Sequence, residues 1–180
     1  MEHEYSKGED LIQPKQVNFD SAEGFLIVEL EMEAFNLQSE GVWYESRHFK
    51  PKDEVHITIL SREAAETVRQ HLEHHPEQED RLRRLINDTS WKFRKLDSFY
   101  HAQEGPGSET IIQMVEVPEL AAFFKQLEEL VGKELELPPT HVTLYMRGTE
   151  KGIGLPTPDE FERLVQKQVQ LSDLMSGGDR

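Results

Sequence analysis

The chain contains no cysteine among its 180 residues. Disulfide bonds and thiolate metal sites are therefore excluded, and nothing in the sequence indicates an oxidising compartment. No apolar run approaches the roughly 20 residues that a membrane-spanning helix needs. The first ten residues are polar and acidic, unlike a secretory signal. We therefore expect a cytoplasmic protein that does not contact a membrane.

Basic residues are few compared with acidic ones. The chain has 20 lysines and arginines against 35 aspartates and glutamates, and its net charge is −15. Proteins bind long nucleic acids largely by neutralising phosphates with lysine and arginine. This balance argues against binding to a long duplex and favours a small nucleotide or an RNA end. The length and a hydrophobic content of 36% fit one domain with a modest core. We expect the protein to be a monomer.

One short pattern occurs twice in the chain. His56 and Thr58 alternate with apolar residues, and so do His141 and Thr143. Successive side chains of a strand point to opposite faces, so each histidine shares a face with its threonine while the apolar residues fill the other. Two such copies arise by chance in only about 0.1% of chains of this composition, a rate low enough to treat the pair as a motif.

The residue types of this pattern indicate acid–base chemistry on an anion. An imidazole gives and takes a proton near neutral pH, and a threonine hydroxyl donates a hydrogen bond to an oxygen of a bound anion. Two such pairs facing one another would supply two imidazoles and two hydroxyls. We therefore predict a phosphoryl-transfer or phosphodiester site that needs neither a metal nor a cofactor.

The paired pattern, with one copy in each half of the chain, resembles the two-histidine (2H) phosphoesterases, which include the LigT-like RNA ligases and the 2′,3′-cyclic phosphodiesterases. The resemblance implies two pseudo-symmetric lobes, each an antiparallel sheet with helices, around a central cleft. It also implies an enzyme of RNA processing that hydrolyses a 2′,3′-cyclic phosphate, on a cyclic nucleotide or an RNA end. His56, Thr58, His141 and Thr143 are then the catalytic residues.

Other residues near the two motifs are candidates for holding the phosphate or the base. The substrate-binding candidates are Arg147, Tyr145, Lys50 and Arg62. Lys52, like Lys50, lies close enough to the first motif in sequence to reach a phosphate. The glycine-bearing segment 148–155 follows the second motif and could lie over a ligand.

Three alternatives remain open from the sequence. The same site could support an RNA 2′-5′ ligase-like activity, because ligation reverses the same proton transfers. The chain could also be a non-catalytic module that binds a nucleotide or an RNA end. A histidine-dependent metallohydrolase is the third. A cluster of three histidines, His71, His74 and His75, suggests a metal site. These residues lie at a predicted helix end, however, where histidines interact favourably with the helix dipole.

The periodicity predicts an α+β chain with antiparallel sheets. We expect a flexible arm over residues 1–23, a single domain over 24–171 and a flexible tail over 172–180. Ser61 is a predicted helix N-cap, Gly132 a predicted helix end, and Thr157 opens a predicted capping box. The segment 79–87 is a predicted helix, and 90–94, 98–101 and 110–115 are predicted strands.

Overall fold

The computed structural model describes residues 11–148, 153–155 and 157–176. Within these ranges the strands are β1 (Gln16–Asp20), β2 (Phe25–Leu30), β3 (Val42–Tyr44), β4 (Arg47–Pro51), β5 (Val55–Leu60), β6 (Arg94–Glu104), β7 (Ser108–Glu116), β8 (His141–Arg147), β9 (Val165–Val169) and β10 (Met175–Ser176). The α-helices are α1 (Arg62–His74), α2 (Glu79–Asp88), α3 (Leu120–Val131) and α4 (Pro158–Leu164).

These strands form two antiparallel sheets, so the predicted α+β class is confirmed. The first sheet has three strands in the order β1-β2-β5, and the second has seven in the order β10-β3-β4-β8-β7-β6-β9. The two motif strands, β5 and β8, belong to different sheets and lie next to each other. The chain passes from the second sheet to the first through the short link 52–54, between β4 and β5.

Both motif strands show the predicted alternation. On β5, Val55, Ile57 and Ile59 are buried, whereas His56 is half-buried and Thr58 is exposed. On β8, the histidine and threonine are half-buried between buried aliphatic residues. The apolar faces of both strands join one hydrophobic core, together with buried faces of α1 and α3. Burying these side chains in a common core fixes the polar faces of the two strands relative to one another.

The helix signals in the sequence correspond to observed helix ends. Ser61 caps α1, and its hydroxyl oxygen accepts a hydrogen bond from the Ala64 N–H at 3.3 Å. Gly132 ends α3 with φ of +72°, and Thr157 caps α4. The predicted helix 79–87 is α2. These signals are local because each cap satisfies backbone groups of its own helix.

The predicted strands 90–94 and 98–101 differ from the structure. Residues 90–92 lie outside any strand, Phe93 forms only an isolated bridge with Ile12, and one long strand, β6, begins at Arg94 and includes 98–101. The pairing of β6 with β7 shifts register between Lys95 and Phe99. This irregularity interrupts the alternation of inward and outward side chains without ending the strand. Trp91, Phe93 and Phe99 are buried in the core.

The predicted domain boundaries need two corrections. Gln16–Asp20, placed in the flexible arm, form β1, where Val17 and Phe19 pack against the core. At the start of the predicted tail, a 3-10 turn runs over Leu171–Asp173 from the last residue of the predicted domain, and Met175–Ser176 pair with β3. Both segments are short and mostly polar, and pairing with a neighbouring strand holds them. Residues 1–10 of the predicted arm and 177–180 of the predicted tail lie outside the described residues.

No helix in the described part of the chain is long and apolar enough to cross a membrane.

Gly148, directly after β8, is predicted to be intolerant of a side chain. It has φ of +77°, and a Cβ there would lie 1.6 Å from the carbonyl oxygen of Gly107. We expect Gly148→Ala to lower the free energy of unfolding by about 3 kcal/mol, as measured by urea denaturation. Gly105→Ala is the matched control, because Gly105 has φ of +68° with nothing within 4 Å of a Cβ. It should lose only about 1–2 kcal/mol; equal losses would show that the contact with Gly107 is not limiting.

Candidate active site

A cleft of about 230 Å³ brings the two motifs together. His56 and Thr58 reach it from the three-stranded sheet, and His141 and Thr143 reach it from the seven-stranded sheet. The other residues that line it are Lys52, Ser61, Arg62, Pro138, Pro139, Ile153, Gly154 and Leu155. The cleft therefore combines the polar faces of both motif strands with an apolar wall of prolines and aliphatic side chains.

His141 has a defined tautomer. Its Nδ1 lies 3.0 Å from the carbonyl oxygen of Pro139. A carbonyl only accepts hydrogen bonds, so Nδ1 carries the hydrogen and Nε2 of the neutral ring has a free lone pair. Burial lowers the pKa of His141 below its ordinary value of 6.5, as does the nearby His56, while the bond to Pro139 raises it. The resting ring is therefore an acceptor at Nε2.

His56 has a different environment. Its Nδ1 is buried and has no hydrogen-bond partner among the described residues. The nearest carboxylate oxygen, on Glu54, is 3.8 Å away, and Glu29 is its direct cross-strand partner on β2. Burial and the charge of Lys52 lower the pKa of His56 from its ordinary 6.5, whereas Glu54 and Glu29 raise it. The ring thus lies between two acidic groups and one basic group.

The two threonine hydroxyls are available to a ligand. Thr58 is exposed and Thr143 is half-buried, and both line the cleft. Neither hydroxyl has a hydrogen-bond partner within the part of the chain that the structure describes. Each can donate to an anion bound between the two strands.

Lys52 is a charged residue of the cleft that the sequence did not distinguish from the nearby Lys50. Only 9% of it is exposed, it lines the cleft, and its ammonium has no carboxylate or hydrogen-bond partner in the described ranges. Its backbone N–H donates to the Leu144 carbonyl at 2.9 Å, which holds the residue beside β8. Lys50, the candidate favoured from the sequence, is exposed and does not line the cleft. The buried stem holds the residue beside the cleft, and an anionic ligand there would give the ammonium a partner.

Of the other predicted binding residues, only Arg62 lines the cleft. It is exposed at the start of α1 and has no ion-pair partner in the described residues. Arg147 lies outside the cleft, and its Nε is 3.5 Å from a carboxylate oxygen of the buried Glu109. Glu109 also pairs with Arg47 and His101. Arg147 therefore belongs to a separate cluster of charges.

Tyr145 faces a different cavity because β8 contains a bulge. Thr143 pairs with Ile112 of β7 and Tyr145 pairs with the preceding Ile111, which leaves Leu144 as an extra residue. The bulge turns Tyr145 away from the face that carries Thr143. Its hydroxyl accepts a hydrogen bond from the Gln38 N–H at 2.9 Å, beside a cavity of about 550 Å³ that Leu144 also lines.

The glycine-bearing segment contributes to the cleft as far as it is described. Ile153, Gly154 and Leu155 line the cleft, and residues 149–152 lie outside the described residues. The two prolines that precede the second motif form another part of the wall. The sequence identified Pro138 and Pro139 only as a break in the chain, because their contact with the cleft depends on tertiary packing.

The histidine cluster at the end of α1 is separate from the cleft. His71 Nε2 is 2.6 Å from the side-chain oxygen of Gln78, and His74 Nδ1 is 2.9 Å from the Gln70 carbonyl. Among the described residues, no group of three or more histidine or acidic side chains is arranged to hold a metal ion.

The chain was compared with protein-family models, with curated proteins and with solved structures, and it matches none of them.

Proposed function

We propose that the chain is a metal-independent phosphodiesterase that hydrolyses a 2′,3′-cyclic phosphate on a nucleotide or an RNA end. The observation that carries this proposal is the convergence of two imidazoles, two threonine hydroxyls and one lysine in a single cleft. The hydroxyls and the ammonium have no hydrogen-bond or ion-pair partner among the described residues. A phosphodiester is an anion whose hydrolysis needs one proton removed and one supplied. The cleft contains side chains suited to each of these requirements.

The chemistry assigns a role to each kind of group. One histidine removes a proton from the attacking water, and the other protonates the oxygen that leaves phosphorus. Thr58 and Thr143 donate hydrogen bonds to the non-bridging oxygens as negative charge shifts onto them. Lys52 supplies a fixed positive charge beside the same oxygens, in a site where its distance from bulk water makes that charge effective.

The proposal includes membership of the 2H phosphoesterase superfamily and its two-lobed architecture. Two features support it. The motif strands lie in different antiparallel sheets, and their histidine-bearing faces line one cleft. In this arrangement the three-stranded and seven-stranded sheets are the cores of the two lobes.

The substrate is proposed to be small. The cleft of about 230 Å³ lies at or below the lower end of the size of typical ligand sites. Arg62, at its rim, also borders a second cavity lined by Glu23, Glu63 and Glu66, and these carboxylates disfavour further phosphates along that direction. The apolar wall of Ile153 and Leu155 suits a base or ribose. A cyclic nucleotide or the last nucleotide of an RNA therefore fits better than a duplex.

The test is product formation from 2′,3′-cyclic nucleotides and from short RNAs with a cyclic-phosphate end, in excess EDTA. Turnover that gives a single 2′- or 3′-phosphate isomer supports the proposal and identifies the oxygen that leaves. Loss of turnover on adding EDTA would indicate a metallohydrolase. Tight binding without turnover would identify a binding module, and joining of RNA ends would identify the ligase-like activity.

The pH dependence of kcat/KM is expected to be bell-shaped, with its maximum below pH 6.5. Burial lowers the pKa of both His56 and His141 in the free protein, and kcat/KM reports the free enzyme. The rate should fall on the acid side as the base becomes protonated, and on the alkaline side as the acid loses its proton. Initial rates at constant ionic strength measure this profile. A flat profile from about pH 5 to 8 would contradict the paired acid–base roles.

A further inference from the structure

We infer that the protein has a second small-molecule site, separate from the cleft. Its ligand is a free amino acid with an aromatic side chain that carries a hydrogen-bond donor, such as tryptophan. The site is the cavity of about 550 Å³ beside Tyr145. Ligand sites in proteins typically have volumes of about 300–1,000 Å³, so the cavity is large enough for a molecule of this size.

The cavity lies on the face of the seven-stranded sheet that points away from the cleft. Thr143 lines the cleft and pairs directly with Ile112 of β7, so these two side chains share one face. Gln113 follows Ile112 and points to the other face, where it lines the cavity. Leu144, the residue after Thr143, also lines the cavity and not the cleft. The sheet itself therefore separates the two sites.

An irregularity in β6 borders this cavity. Lys95 and Phe99 are four residues apart, whereas their partners on β7, Val115 and Gln113, are two residues apart. β6 therefore contains two extra residues at this point, and the ladder of paired residues is interrupted. Lys95 and Phe99 line the cavity on either side of the interruption, and Asp97 lines it from within. Bulges are frequent beside active sites, because they redirect side chains.

Gln113 supplies a hydrogen-bond acceptor to the cavity. Only 8% of this residue is exposed, and its Nε2 donates to the Leu96 carbonyl at 2.9 Å. Because a carbonyl only accepts hydrogen bonds, the amide nitrogen faces Leu96 and the amide oxygen is left for a ligand. No described residue donates a hydrogen bond to that oxygen. The buried rings of Phe35 and Phe99 line the same cavity, which suits an aromatic ligand with one N–H or O–H at its edge.

Two opposite charges at the cavity form no ion pair within the part of the chain that the structure describes. The Lys95 ammonium donates to the Ala34 carbonyl and lies 5.6 Å from the centre of the Phe35 ring, so two of its three hydrogens are left for a ligand carboxylate. Asp97 is exposed and can accept hydrogen bonds from a ligand ammonium. Residues two apart on a strand lie within about 7 Å of each other, so the two side chains can hold both charged groups of one amino acid.

An aromatic amino acid matches each of these groups. Its carboxylate pairs with Lys95, its ammonium pairs with Asp97, and its ring donates to the Gln113 oxygen. A zwitterion also avoids the repulsion that a chain of net charge −15 exerts on an anion. Tryptophan and tyrosine have the ring donor, whereas phenylalanine lacks it and should bind more weakly than either.

The first test measures binding of free L-tryptophan to the full chain by calorimetry and by ¹H–¹⁵N NMR. Tryptophan is expected to bind with Kd below about 1 mM and to shift the side-chain amide signals of Gln113. 1-Methyltryptophan keeps the ring but lacks its N–H, so it should bind about tenfold more weakly. Gln113→Met should remove that difference. The comparison of the two ligands on wild-type protein stands even if this variant is unstable.

The second test removes each charge and, in parallel, the ligand group that it pairs with. Asp97→Asn should weaken tryptophan binding by about two- to fivefold without weakening indole-3-propionate, which has no ammonium. Lys95→Met should weaken tryptophan by a similar factor without weakening tryptamine, which has no carboxylate. Asp80→Asn removes a negative charge from an exposed position on α2 and should leave the binding of tryptophan unchanged.

Three results would overturn the amino-acid site. They are the absence of saturable binding by tryptophan and tyrosine, equal binding of tryptophan and 1-methyltryptophan to wild-type protein, and binding of adenosine in this cavity in place of the amino acids. None of these measurements needs turnover in the cleft. Failure of tryptophan to bind would leave the proposed function intact, and failure of turnover would leave the second site intact.

Discussion

Replacing either His56 or His141 with alanine is expected to lower turnover of a 2′,3′-cyclic phosphate by about 10²–10⁴-fold. The two rings line the same cleft from different sheets, so neither ring can replace the other at its position. The double variant should lose far less than the product of the two single losses, because residues that act as one unit are not additive. Single-turnover rates of the three variants in excess EDTA measure the effect.

His74→Ala is the matched control for these variants. His74 is exposed in the last turn of α1, with Nδ1 against a backbone carbonyl of its own helix, and it should keep full turnover. Circular dichroism and thermal unfolding establish that each variant is folded. A folded His56 or His141 variant with the wild-type rate would eliminate the two-histidine mechanism.

Lys52→Met is expected to lower kcat/KM about 100-fold, the typical loss when one donor to a developing charge is removed. The same substitution should change the free energy of unfolding by less than about 1 kcal/mol, because the aliphatic stem is the part of the side chain that packs. Lys52 is buried to nine-tenths and its ammonium has no partner in the described residues. Methionine keeps the packed stem and removes the charge that a bound anion would pair with. The lysine is therefore expected to stabilise the bound anion and to contribute little to the stability of the free fold.

Lys50→Met provides the comparison for this variant, because Lys50 is exposed and outside the cleft. It should change kcat/KM and the free energy of unfolding by little. Urea denaturation and steady-state kinetics on the same preparations measure both quantities. If Lys52→Met destabilises the protein and leaves kcat/KM intact, the lysine has a structural role and the proposed anion site loses its main cation.

The sequence predicts those parts of the site that depend on local periodicity. The alternation on β5 and β8 places each histidine and threonine on one face, and the hydroxyl of Ser61 caps the helix that begins beside the cleft. The sequence does not distinguish Lys52 from Lys50. Only the fold shows that β4 ends at Pro51 and that Lys52, the next residue, is the buried lysine. The sequence also misplaces Tyr145, since only pairing with β7 reveals the extra residue at Leu144.

The strand at the edge of the first sheet shows the same limit. Gln16–Asp20 has only two apolar positions, and pairing with β2 rather than local propensity makes it a strand. Its amides hold Glu29, which lies opposite His56. A segment expected to be a flexible arm thus supports the environment of a candidate catalytic residue.

The link 52–54 joins the two sheets, and it also carries both Lys52 and Glu54, whose opposite charges act on His56. A change in the angle between the sheets would alter the distances of these two charges from the imidazole. The link that connects the two sheets is thus also the segment whose charges act on this histidine. The ¹⁵N chemical shifts of the His56 ring would therefore report a change in the relative orientation of the two sheets.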